Sequence, residues 1–82
     1  MNTTHSYRLV LITWLDSHQV GGWHTEGPAT KALKCRSVGW LIHDGEEAKT
    51  IAPHMTDEET PQRSVEMTIP TCAVLEMKVL CG

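Results

Sequence analysis

Histidine, tryptophan and arginine are the side chains of this sequence whose chemistry is best suited to holding a ligand. The chain has five histidines and three cysteines, a set that could bind zinc. Zinc sites, however, use recurring pairs such as Cys-x-x-Cys or His-x-x-x-His, and neither spacing occurs here. His18 and His24 belong to one loop and could meet, but histidines on the surface or in hydrogen bonds explain the pattern better. We therefore expect no metal site.

Two tryptophans stand where a small molecule could reach them. Trp14 ends the first apolar run, close to His18, and Trp23 follows a pair of glycines in a polar loop and precedes His24. A loop tryptophan either anchors the loop to the domain or contacts a ligand. In the second case its ring could stack on a nucleotide base.

Arginine supplies the matching polar contact, because its planar guanidinium group pairs with carboxylate or phosphate. The ordinary alternative for each arginine is a surface ion pair with one of the ten acidic residues. The predicted ligand-binding residues are Trp14, His18, Trp23, His24, Arg36 and Arg63.

Catalytic motifs are weak in this chain. Asp16, Ser17 and His18 are contiguous, but neighbours on a strand point in different directions, and a triad is defined by geometry. No glycine-framed serine is present, and nothing pairs Cys35 or Cys72 with a histidine. The sequence therefore predicts a protein that is not an enzyme, with no catalytic residues and no cofactor.

Composition and charge narrow the classes of partner. The net charge of −3 argues against general nucleic-acid binding, which needs a basic surface, and against an anionic membrane surface. No apolar run approaches the ~20 residues of a membrane span, and residues 1–7 lack the apolar core of a signal peptide. Three cysteines are an odd number, which favours reduced thiols. These features predict a cytoplasmic location.

Alternating apolar residues predict a chain made mainly of strands. Residues 37–52 form the clearest unit, a hairpin around Asp44-Gly45 in which glycine would supply the positive φ of a tight primed turn. Val38, Trp40 and Ile42 share the predicted core face of its first strand. Further strands are predicted at 7–15, 62–69 and 73–80. A short helix is predicted at 29–34, after Gly27-Pro28, and residues 1–6 should be loose before a single domain at 7–82.

This order of elements resembles that of SH3-like and Sm-like small β-barrels. The resemblance includes the last turn, where an Ile-Pro-x-x-x-Val segment runs from Ile69 to Val74. It implies a five-stranded barrel with one short helix in the long loop after the first strand. The alternative is an open α+β sheet. The aromatic residues with which SH3 domains bind proline-rich peptides have no counterparts here, so the resemblance concerns architecture alone.

A second set of short motifs resembles a group of uncharacterised bacteriophage proteins. The motifs are Thr13-Trp14-Leu15-Asp16, Gly22-Trp23, Ser37-Val38-Gly39-Trp40-Leu41 and Ile69-Pro70. The resemblance implies a small phage accessory protein in the bacterial host cytoplasm that counters host defence by binding. The favoured function is sequestration of a small nucleotide-derived signal.

The alternative function is inhibition of a host defence enzyme or complex. Its acidic surface loops would imitate nucleic-acid phosphates against a basic target. The partner-binding residues would then be Glu46, Glu47, Asp57, Glu58 and Glu59. Under either function we expect a homo-oligomer, because the first and last strands carry apolar residues on both faces.

Overall fold

The structure, a computed structural model, describes residues 7–17, 19 and 21–82 and is mainly β. The predicted loose segment 1–6 and His18 lie outside the described residues. Seven strands and one 3₁₀ turn follow one another as β1 (Leu9–Asp16), β2 (Leu33–Asp44), β3 (Ala48–Ala52), β4 (His54–Met55), β5 (Arg63–Ser64), β6 (Met67–Pro70), the turn Thr71–Ala73 and β7 (Val74–Cys81). In this part of the chain no helix is long and apolar enough to cross a membrane.

Five of the strands form one antiparallel sheet with the order β6-β3-β2-β1-β7, and β4 and β5 form a separate small ladder. One face of the large sheet carries the core. Four buried side chains form its centre, namely Val10, Ile12, Ile51 and Ile69. Because β1 lies between β2 and β7, its alternate residues Val10 and Ile12 are fully buried.

The prediction of a mainly β chain is confirmed, but the closed barrel is wrong. Strands β6 and β7 are the two edges of an open sheet, and no pairing between them occurs among the described residues. The strand predicted at 62–69 is too interrupted to close the sheet, since it divides into β5 and β6. Val65 lies between them with a φ of 62°, a left-handed conformation that breaks the extended path of a β-branched residue.

The predicted helix at 29–34 is also wrong, so the α+β alternative is right only in its open sheet. Residues 21–32 have no helix or strand and are exposed throughout, and β2 already begins at Leu33. A helix of six residues is too short to be stable by itself and needs an apolar face to bury. This segment buries none of its side chains against the sheet, so nothing offsets the cost of nucleating a helix.

The β2–β3 hairpin is present, with a different turn and a different core face from those predicted. Three residues connect the strands, the Gly45 N–H donates to the Ala48 carbonyl over 3.0 Å, and Gly45 is not among the described glycines with positive φ. Val38 is 51% exposed and Trp40 is half-buried outside the core cluster. The core face of β2 carries Gly39, which lies opposite buried Val10, and Leu41, which packs against the core cluster.

Gly39 lies where two strands approach closely. A Cβ atom placed on it would lie 3.0 Å from the Ala52 carbonyl oxygen and 3.1 Å from the Ile51 Cβ. Backbone atoms cannot move aside as the end of a long side chain can, so only glycine fits without a shift of β3 against β2.

Replacing Gly39 with Ala is therefore expected to lower the free energy of unfolding by about 1–3 kcal/mol, as overpacking usually does. Urea denaturation followed by tryptophan fluorescence measures this change. Gly27→Ala is the matched control, because no atom lies within 4 Å of the added methyl, and its effect should stay within about 0.5 kcal/mol. Equal stability of the two variants would show that β2 and β3 are not in such close contact.

Candidate functional site

The open face of the sheet carries a shallow groove across β2, β1 and β7. Its volume is about 390 Å³, within the range of sites for small molecules. The residues that line it are Leu11, Thr13, Lys34, Arg36, Glu76, Met77 and Lys78. The groove forms along β1 because this strand lies between β2 and β7, and side chains from both of these strands project on either side of it.

Strand register explains why these side chains meet. Thr13 is directly opposite Arg36 on β2 and Glu76 on β7, and Leu11 is directly opposite Lys78. Residues directly opposite one another in an antiparallel sheet share a face. Thr13, which is 9% exposed, forms the floor of the groove, and the longer charged side chains surround it.

The groove is locally basic in an acidic chain. Lys34, Arg36 and Lys78 face a single carboxylate, Glu76, so the local formal charge is +2 whereas the whole chain carries −3. Within the described part of the chain, none of these three cations takes part in an ion pair, although Lys49 and Arg63 do. The cations of the groove are therefore available to a ligand.

Arg36 is the predicted binding residue that the structure places in this groove. Arg63 lies elsewhere, on β5, beside a second shallow groove lined by the β4–β5 hairpin. It pairs with Glu66, and this hydrogen bond and the charge of Glu66 raise the pKa of the Arg63 guanidinium. Arg63 therefore takes part in a surface ion pair, whereas Arg36 forms none with a described residue.

Trp14 lies on the opposite face of the sheet from Arg36. Its register partner is Cys35, its ring packs against the core cluster, and its indole N–H donates to the Ser37 hydroxyl over 3.0 Å. That hydroxyl lies 3.8 Å from the sulfur of Met67. This satisfied hydrogen bond ties β1 to β2, so Trp14 serves the packing of the sheet.

Trp23 and His24 lie in the exposed loop that connects β1 and β2. The Trp23 side chain is 104% exposed, so it does not anchor the loop to the sheet. The His24 Nδ1 lies 3.3 Å from a carboxylate oxygen of Glu26, also in the loop. The structure brings neither residue into the Arg36 groove, and His18 lies outside the described residues.

The acidic residues of the alternative function lie on two hairpins. Glu46 and Glu47 are exposed at the β2–β3 turn, which the Thr71 hydroxyl fixes by donating to the Gly45 carbonyl over 2.9 Å. Asp57, Glu58 and Glu59 are exposed in the β4–β5 connection. There the Thr56 hydroxyl donates to Glu58 over 2.8 Å.

Sequence reasoning missed most of the groove. Lys34, Lys78, Glu76 and Thr13 were not predicted as binding residues. The signal that could have indicated Lys34 is its two-residue spacing from Arg36 on one strand, and Glu76 and Lys78 have the same spacing on another. Among the described residues, no three His, Cys, Asp or Glu side chains are grouped closely enough to hold a metal ion.

Comparison with models of protein families, with curated proteins and with solved structures gives no significant match.

Proposed function

We propose that this chain is a non-enzymatic binding protein that sequesters a small phosphate-bearing, nucleotide-like ligand in the Arg36 groove. The observation that carries the proposal is the group of three cations without ion-pair partners around a polar floor, in a chain whose net charge is negative. Clustering like charges on one surface costs free energy unless something offsets it. A bound anion offsets that cost.

The chemistry of the groove favours phosphate over other anions. Arginine offers a planar fork of donors for two phosphate oxygens, and lysine adds mobile point charges. Leu11 adds apolar surface on which a base or sugar can rest. The role in countering host defence rests on the resemblance to phage proteins and is part of the proposal.

Isothermal titration calorimetry with a panel of anions tests the function. The panel contains inorganic phosphate, AMP, ADP, ATP, 3′,5′-cyclic AMP and a cyclic dinucleotide. We expect at least one nucleotide to bind with a dissociation constant in the micromolar range or below, more tightly than inorganic phosphate and more weakly as salt is raised. Absence of binding by every nucleotide at ~100 μM protein would contradict the proposal.

A second candidate function rests on the ordered acidic hairpin β4–β5. Thr56 accepts a hydrogen bond from the backbone N–H of Gln62 over 2.7 Å and donates one to Glu58, so the connection holds Glu58 in place. A carboxylate that is already ordered loses less entropy on binding a basic protein surface. A pull-down from host lysate tests this function. A stoichiometric partner lost at high salt and on Glu58→Gln would support it, and an empty eluate would count against it.

A further inference from the structure

Strand β7 is an unprotected edge of the five-stranded sheet. It has eight residues, pairs with β1 on one side only, and has no partner among the described residues on the other. Its side chains Leu75, Val79 and Leu80 are 54%, 47% and 47% exposed. Long edge strands with exposed apolar side chains are templates for pairing with another strand, and soluble proteins usually cover them.

The pattern of side chains on β7 indicates what could cover it. Glu76 and Lys78 are on the open face of the sheet, because they are directly opposite Thr13 and Leu11. Met77 and Val79 are on the core face, opposite Ile12 and Val10. Two register irregularities flank this regular run, one near Leu75 and one near Leu80. A partner strand must therefore carry a cation opposite Glu76 and an anion opposite Lys78 on the open face. On the core face it must carry apolar residues.

A second copy of β7 meets both requirements in one register. If a twofold axis perpendicular to the sheet passes midway between Met77 and the partner's Met77, then Glu76 lies opposite the partner's Lys78, and Lys78 lies opposite the partner's Glu76. On the core face, the two Met77 side chains meet. Opposite charges and apolar residues in directly opposed positions stabilise antiparallel pairs.

Neighbouring registers lack this match. A pairing centred on Glu76 places two glutamates directly opposite each other, and a pairing centred on Lys78 does the same with two lysines. A shift of the axis by two residues from Met77 leaves the charges opposite apolar or unpaired positions. The register of a strand pair is strongly specified where the side chains of each face match those of the partner strand. The side chains of β7 therefore favour the pairing centred on Met77.

We infer that the chain forms a twofold dimer by antiparallel pairing of β7 with the partner's β7, centred on Met77. The two five-stranded sheets then become one continuous sheet. Because Glu76 and Lys78 also line the Arg36 groove, Lys78 pairs with the partner's Glu76 in the dimer and the two grooves join across the axis. Lys34 and Arg36 then remain the cations that are available to a ligand. The pairing itself does not depend on the proposed function, since it follows from the edge of the sheet.

Charge-swap variants with sedimentation-velocity analysis at 10–200 μM protein test the dimer. The wild-type chain should sediment with twice its mass of 9.1 kDa. Lys78→Glu places glutamates opposite each other twice, and Glu76→Lys does the same with lysines, so each should raise the dimer dissociation constant at least tenfold. The double variant Glu76→Lys/Lys78→Glu restores opposite charges at both positions and should recover the dimer.

Circular dichroism of each variant confirms that the strands remain folded. A wild-type chain that stays at the monomer mass up to 200 μM would overturn the inference. So would single variants that dimerise as well as the wild type, or a double variant that fails to recover. An assembly larger than a dimer that does not respond to either single variant would also overturn it, because another surface would then hold the copies together.

Discussion

Replacing Ile12 with Ala is expected to lower the free energy of unfolding by about 2–5 kcal/mol, the usual cost of removing a large aliphatic side chain from a core. Ile12 is fully buried and is one of the largest side chains in that state. Domains are typically stable by only 5–15 kcal/mol. The core cluster here has four members, so a cavity at Ile12 has few neighbours that can move to fill it.

Urea denaturation with tryptophan fluorescence measures this loss, and Leu15→Ala is the matched control. Leu15 belongs to the same strand but is 39% exposed, so its truncation should cost at most about half as much. Equal losses for the two variants would contradict the assignment of the core to the Ile12 face of the sheet.

Replacing Arg36 with Glu is expected to weaken nucleotide binding at least tenfold. The change removes a charge-assisted hydrogen bond, worth about 1.5–3 kcal/mol, and adds a charge that repels phosphate. The β-sheet should remain intact, because Arg36 is exposed and forms no ion pair with another described residue. Calorimetry with the nucleotide that binds the wild-type chain best measures the change.

Arg63→Glu is the control for net charge. It alters the charge of the whole chain by the same amount, but Arg63 lies on β5 and pairs with Glu66. We expect its nucleotide affinity to stay within about threefold of the wild type, since distant surface charges are screened at physiological salt. If both variants lose affinity equally, the effect is one of net charge and the Arg36 groove is not the site.

The parts of the fold that the sequence predicts correctly are those with strict local patterns. Alternation over 37–52 predicts the hairpin β2–β3, and alternation over 73–80 predicts β7. The errors arise where tertiary packing decides. Ala and Lys favour a helix at 29–34, but that segment has no surface against which to pack. Val65 reads as a strand residue, yet its positive φ interrupts the strand.

The candidate site was only partly predictable for a similar reason. Arg36 can be singled out by its chemistry, because guanidinium groups are few and suited to phosphate. Its neighbours cannot, because Lys78 and Glu76 lie about forty residues away in sequence and reach Arg36 only through the register of β7 and β2 on β1. Trp14 is an error of the opposite kind. Its position next to polar residues predicts a contact with a ligand, but its side chain packs against the core.

The position of a bound nucleotide on the sheet shows whether the Arg36 groove is the binding site. Chemical-shift changes in the ¹⁵N-labelled protein, titrated with the tightest-binding nucleotide of the panel, would locate the ligand on the sheet. If a nucleotide occupies that groove, the largest changes will be at the amides of Thr13, Arg36, Glu76 and Lys78. Changes confined to the β4–β5 hairpin, or no changes at saturating nucleotide, would contradict it.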